Sequence, residues 1–158
     1  MRKEMKMEPI PSEIKVVVRG QSENGTRLNL TAGRFSSVID EPRSLGGTDA
    51  GPSPIQVLLM ALAGCINVTG HVIAKEKGLQ LNGMNMTIEG VMNPAAFYGI
   101  SYEERVGFKQ ITVMVNPDFT NATEQDIEAW LKETEERCPV TDNIKTDTSI
   151  TVKIQKTN

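Results

Sequence analysis

The sequence predicts an α+β fold, and three observations predict it. Short β-type runs come in consecutive groups instead of alternating with helices, so the element order reads β-β-β-α-β-β-α-β. One stretch, Gly46 to Gly78, carries helical periodicity along most of its length. The runs that follow it alternate apolar and polar residues at the period of two that a half-buried strand requires.

At 158 residues the chain is long enough to bury a real core. A single domain is expected over residues 13–158, behind a flexible tail of residues 1–12 that ends near Pro9 and Pro11. Glu13–Val18, Arg27–Leu30 and Arg34–Ile39 read as strands of an antiparallel meander, with Asn24-Gly25 and Ala32-Gly33 as turn signals between them. A Gly-, Pro- and Asp-rich connection, Asp40 to Gly51, leads to the long helix. Ser53 suits its N-cap, Pro54 its first position, and Gln56 completes a capping box.

Ile55, Leu58, Leu59, Leu62, Ile66 and Ile73 recur at the spacing of one buried face, and Gly78 is the stop signal. Such a helix would be about 37 Å long at 1.5 Å per residue, and is expected to run through the centre of the fold. Asn82–Val91 and Val106–Val115 then alternate as strands on either side of a long loop, Met92–Glu104. Thr123 caps a second helix that runs to about Arg137, with Glu124 and Asp126 in its first turn and Ile127, Trp130 and Leu131 as its stripe. Cys138-Pro139 breaks that helix and Pro139 opens a short one, Val140–Ile144, before a final strand, Ser149–Ile154.

The net charge of −3, with no basic cluster denser than the Met1–Lys6 stretch, argues against a nucleic-acid groove or an anionic-membrane surface. The N-terminal segment is mixed in charge and lacks the apolar core of a secretory signal. The longest strongly apolar run, Val57–Ala63, falls well short of the roughly 20 residues of a membrane span. A soluble cytoplasmic protein is expected. Its two cysteines are then either inert core residues or a working redox pair, not a standing disulfide.

Chemistry-bearing residues are few. The one histidine, His71, lies about 120° from Cys65 on a helical wheel, which disfavours a Cys/His nucleophile pair and with it an acyl-transfer hydrolase. No zinc-ligand spacing, Walker A loop or dinucleotide fingerprint occurs, so no metal and no cofactor is expected. The Gly46–Gly51 loop ahead of a helix start reads either as an anion cradle or as a loop that merely needs glycine's freedom. Cys65 falls on the apolar stripe, as a small buried hydrophobe or as a thiol activated by groups from elsewhere in the fold. Cys138, ahead of Pro139, can occupy a helix N-cap, where exposed amides stabilise a thiolate.

Asp40-Glu41-Pro42, Leu45-Gly46-Gly47, Gly51-Pro52-Ser53-Pro54 and Ala63-Gly64-Cys65, joined by the late Cys138-Pro139-Val140, resemble the signature of the OsmC/Ohr family of osmotically inducible and organic hydroperoxide resistance proteins. The resemblance implies an intertwined α+β homodimer, with antiparallel sheets wrapped around a long central helix and sites at the subunit interface. It implies a thiol peroxidase that reduces organic hydroperoxides, with Cys65 as the peroxidatic thiol, Cys138 as the resolving one, and dithiol donors such as lipoylated proteins as reductants. An apolar lining from Leu58, Leu62, Met84, Met86, Phe97 and Tyr98 would take a hydrocarbon tail. The peroxidases of the family poise the thiolate with an arginine and a glutamate from the start of the central helix. Here that start is Ile55-Gln56-Val57, and no acidic residue occurs between Asp49 and Glu76. The other reading is a non-catalytic or redox-sensing dimer that binds a small apolar ligand.

Overall fold

The structure, a computed structural model, describes residues 10–154, and its first sheet is organised by a tight turn at Asn24. The Asn24 side-chain oxygen accepts from the amides of Thr26 and Arg27, closing the turn between β1 (Arg19–Ser22) and β2 (Leu28–Ala32). Gly33-Arg34 then reverses the chain into β3 (Phe35–Ile39). The strands form an antiparallel sheet in sequence order, Arg19 facing Thr31 and Leu30 facing Ser37.

The expected meander is therefore present, with its first strand later than Glu13–Val18. β2 ends at Ala32, so a strand that pairs Arg19 with Thr31 has almost no room to continue backwards before the hairpin turn. Residues 13–18 overrun it, leaving Ile14 and Val16 exposed. The tail expected over residues 1–12 lies, as far as residue 9, outside the described residues.

The chain divides between Pro54 and Ile55 into two compact units. In the first, Asp40 organises the connection that follows β3. Its carboxylate is fully buried and accepts from the amides of Glu41 (2.8 Å), Thr48 (3.0 Å) and Ala50 (3.2 Å) and from the Thr48 hydroxyl (2.5 Å). The Thr48 hydroxyl acts most strongly in holding the Asp40 carboxyl far below the usual carboxylate range. Burial opposes it, and the Ala50 amide, the Thr26 hydroxyl and the Glu41 amide add to it.

The second unit is built on α1 (Pro54–Glu76). Gly78 ends that helix with φ +69, and the Leu79 and Gly78 amides return to the carbonyls of Ala74 and Lys75, a Schellman closure. β4 (Leu81–Val91) and β5 (Gln110–Phe119) pair antiparallel, with Met86 opposite Val115 and Ile88 opposite Val113. β5 starts later than the expected Val106 and runs on through Asn116-Pro117. In a two-stranded sheet each strand has an open edge, where the missing proline N–H is tolerated.

α2 (Glu124–Arg137) opens on a Thr123–Asp126 capping box, and α3 (Pro139–Lys145) follows directly. The buried stripe of α1 is Leu62, Ile66, Gly70, Ile73 and Ala74. Leu62 and Ile66 pack with Met84, Met86 and Ile88 of β4 and Ile111, Val113 and Val115 of β5, while Ile73 and Ala74 pack with Trp130. Ile55 and Leu58, expected on the buried face, are exposed in this chain, as are Met60, Val68 and Val72. Among the described residues α1 is the one helix long and apolar enough to cross a membrane.

Trp130 joins the helices. Its indole is fully buried and its Nε1 donates to the carbonyl of Gly70 at 2.8 Å. A Cβ at Gly70 would sit 2.8 Å from the Trp130 ring, so only glycine permits this approach. Ser149–Ile154 forms no strand. Ile150, Val152 and Ile154 alternate as expected but are 85%, 92% and 93% exposed. A strand needs a partner edge, and neither sheet described here pairs with this segment.

Gly70→Ala is expected to cost about 1–3 kcal/mol by forcing the indole outward, measured as a lower urea midpoint in Trp130 fluorescence. Asp40 supplies a second test. Folding lowers its pKa, so its contribution to stability is complete above the unfolded value of about 3.9 and is lost as pH falls below it. Asp40→Asn is expected to lower Tm at pH 7 and to flatten the fall of Tm below about pH 4. An acid profile identical to that of the parent protein would refute this account.

Candidate functional site

Cys65 lies near the middle of α1, half-buried, on the same side as Leu62 and Ile66. Cys138 is the single residue between α2 and α3. Pro139 has no N–H with which to continue α2, so the chain leaves the helix there, and Cys138 takes an extended conformation (φ −79°, ψ 111°). That backbone turns its sulfur back over the first turn of α3, where it accepts from the Thr141 amide at 3.5 Å.

The thiols are 73 positions apart in sequence, yet Cys65 packs against the buried cluster of Leu62, Ile66 and Cys138. Three contacts bring them together. Trp130 fixes α2 against Gly70 of α1. Arg137, the last residue of α2, grips Glu76 at the end of α1 through both terminal nitrogens (2.5 and 3.1 Å) and holds Glu133 at 2.8 Å. Lys77 adds an ion pair to Glu133 at 2.7 Å. The next residue after Arg137 is Cys138, fully buried against Leu62 and Ile66.

The surroundings treat the two sulfurs differently. Burial first, then the Cys138 side chain, pushes the Cys65 thiol above its ordinary pKa, with the Val140 amide and the Thr69 hydroxyl pulling the other way. Burial also works against a charge on Cys138. It is outweighed by the Cys65 thiol, by the hydroxyl and amide of Thr141 and by the Val140 amide, so this pKa falls below the ordinary value. Of the two thiols, Cys138 is the one whose surroundings favour ionisation.

A groove of about 860 Å³ is walled by Leu58 and Leu62 of α1, Ile111 and Val113 of β5 and Val140 of α3, with Arg105, Lys109, Glu135 and Lys145 also in its lining; neither sulfur lines it. Leu58 and Leu62 were expected there. Met84 and Met86 instead pack into the core around Cys138, and Phe97 and Tyr98 are exposed on the 92–109 loop, edge to face at 5.0 Å.

His71 is exposed, its Nδ1 bonded to the Asn67 carbonyl at 2.9 Å, and no Cys/His pair forms. The glycine-rich loop turns its Thr48 and Ala50 amides onto Asp40, so the anion it binds is the chain's own carboxylate. Thr69, Thr141 and the Val140 amide act on the sulfurs without having been singled out from the sequence. Thr69 is four residues beyond Cys65, and Thr141 three beyond Cys138, the spacings at which a helix face and an N-cap respectively bring groups together.

Comparisons with known proteins agree with this architecture. Residues 47–153 match the family described as OsmC-like protein. The fold resembles the crystal structure of an OsmC-like protein from Mycoplasma pneumoniae (TM-score 0.73, 19% identity, 84% of this chain and 89% of that one). It also resembles an organic hydroperoxide resistance protein OsmC from Legionella pneumophila (TM-score 0.60, 21% identity, 85% and 92%). A third likeness is to the organic hydroperoxide resistance protein OhrB of Bacillus subtilis (TM-score 0.54, 17% identity, 82% and 89%). No curated protein matches the sequence.

Proposed function

The chain belongs to the OsmC-like protein family, and from that premise we propose that it is a thiol-dependent peroxidase reducing organic hydroperoxides in the cytoplasm. The observation that carries this reading is the packing of Cys65 against the buried cluster that contains Cys138, with Leu62 and Ile66 of that cluster also walling a groove. The names of the Legionella and Bacillus proteins point to the same substrate class. Cys65, the more accessible thiol, attacks the terminal peroxide oxygen and releases an alcohol. Cys138 traps the resulting sulfenic acid as a disulfide before further, irreversible oxidation. A dithiol donor, such as a lipoylated protein, then reduces the disulfide.

The working form is proposed to be an intertwined homodimer. Two alternating apolar segments, 13–18 and 149–154, have no ladder partner among the described residues, and α1 exposes Met60, Val68 and Val72. Exchange of strands between two copies would satisfy both features.

The raised pKa of Cys65 favours a second reading, a non-catalytic or redox-sensing dimer that binds a small apolar ligand. Cumene hydroperoxide with a dithiol donor is expected to give steady donor oxidation that Cys65→Ser abolishes, with both free thiols lost together as one intramolecular disulfide. Thiols that stay unreacted in the folded protein would support the ligand-binding reading. Light scattering is expected to give twice the chain mass for the intact protein and a monomer for a chain cut after Asp147.

A further inference from the structure

We propose that Arg137 is a positioning residue for Cys138: its grip on Glu76 holds the joint between α2 and α3 against α1, so that Cys138 is in place to trap Cys65 once that thiol is oxidised. This role rests on the peroxidase reading above and concerns its second step, closure of the disulfide. The joint is one residue long. α2 ends at Arg137, α3 begins at Pro139, and Cys138 between them belongs to neither helix. Pro139 has no N–H, so the hydrogen-bond ladder of α2 stops there and does not fix the joint from within. On the α3 side, an ion pair from Lys145 to Glu135 ties α3 to α2. On the α2 side, Arg137 reaches across to the last residue of α1.

That contact is built to orient. The two terminal nitrogens of Arg137 meet the two Glu76 oxygens at 2.5 and 3.1 Å, a fork-on-fork geometry that sets an angle as well as a distance. Glu133, one turn back on α2, takes the same guanidinium at 2.8 Å and pairs with Lys77, the residue after α1, at 2.7 Å. Four charges are thereby linked across the two helix ends. An isolated exposed pair adds little, whereas a bidentate pair within such a network can hold a geometry. Arg137 above all keeps the Glu76 carboxyl below its ordinary range, and Lys77, then Arg137, does the same for Glu133.

The leverage follows from where the helices are otherwise fastened. Trp130 bonds Gly70 two turns before Arg137, about 10 Å along α2 at 1.5 Å per residue. A small swing about that point is magnified at the helix end, where Cys138 sits. Cys138 completes the buried cluster with Leu62 and Ile66 against which Cys65 packs, so a shift of the joint changes the approach of one thiol to the other. A disulfide closes only over a narrow range of Cα separations, about 4.4–6.8 Å, which makes closure sensitive to such a shift. The step itself is Cys65–SOH plus Cys138–SH giving the disulfide and water: an S–S bond forms, the S–O bond breaks, and the Cys138 proton leaves with the hydroxyl. Arg137 takes no part in that exchange of bonds.

Reduced protein mixed with an equimolar amount of cumene hydroperoxide, quenched with dimedone and read by peptide mass spectrometry, separates the two steps. Arg137→Met is expected to oxidise Cys65 at the parent rate but to close the disulfide about fivefold more slowly, the upper end of what an exposed ion pair contributes. Dimedone adducts on Cys65 then accumulate. Glu76→Gln is expected to behave in the same way, Arg137→Lys, which keeps the charge without the fork, to fall between, and the Arg137→Met/Glu76→Gln double variant to be no slower than either. At about 1 M salt, where charges are screened within about 3 Å, closure in the parent is expected to slow toward the variants, which themselves do not change. Parent closure rates in both Arg137→Met and Glu76→Gln, or equal slowing of the two steps, would overturn the proposal. If the parent consumes no hydroperoxide, the peroxidase reading fails, and oxidation in glutathione redox buffers decides the clamp by itself. There the Cys65–Cys138 disulfide is expected to be about fivefold less favoured in Arg137→Met, and a parent-like equilibrium, or no such disulfide in the parent, would overturn the role of Arg137.

Discussion

The joint between Trp130 and Gly70 is the constraint on which the second unit depends. A tryptophan can be fully buried at a helix crossing only if the opposing helix has no side chain at the point of contact and offers an acceptor for the indole N–H. Gly70 meets both conditions at once, with its missing Cβ and its free-facing carbonyl. Two turns further along α2, Arg137 takes hold of Glu76, so the two helices are fastened at two points. Pro139, two residues on, keeps α2 from continuing past Arg137. The position of Cys138 is the product of those three events, and the packing of Cys65 against its cluster follows from them.

Putting two sulfurs into that seam creates an electrostatic problem. An apolar surround disfavours thiolate on either atom, and Leu62, Ile66 and the methionine- and isoleucine-bearing strands supply such a surround. The fold answers with hydrogen bonds in place of a cation. The first turn of α3 offers the Cys138 sulfur the Thr141 amide at 3.5 Å. The arrangement explains why Cys138, the buried partner, is the more acidic of the two although access favours Cys65.

Asp40 solves a related problem in the first unit. A buried carboxylate is costly unless its oxygens are occupied, and the 41–50 connection wraps three amides and a hydroxyl around it. What reads in sequence as a glycine-rich anion loop is thus a loop folded on an internal anion. Backbone N–H groups serve both units: three of them meet the Asp40 carboxylate, and that of Thr141 meets the Cys138 sulfur.

The order of elements up to α3, the limits of α1 and α2, the Thr123 cap, the Gly78 stop and the place of Cys138 ahead of α3 were legible in the sequence. Each depends on residues within a few positions of one another: a proline without an N–H, a glycine free to adopt positive φ, a hydroxyl three residues from an amide. The family was legible too, through the spacing of its two cysteine motifs. Strand limits were less so. EIKVVV and SITVKI have the right alternation, but a strand exists only where a second strand lies beside it, and pairing is not a property of the segment alone. The approach of Cys65 to the cluster around Cys138 and the burial of Asp40 were decided by the tertiary structure, because each is set by groups brought close only when the helices cross and the loop closes.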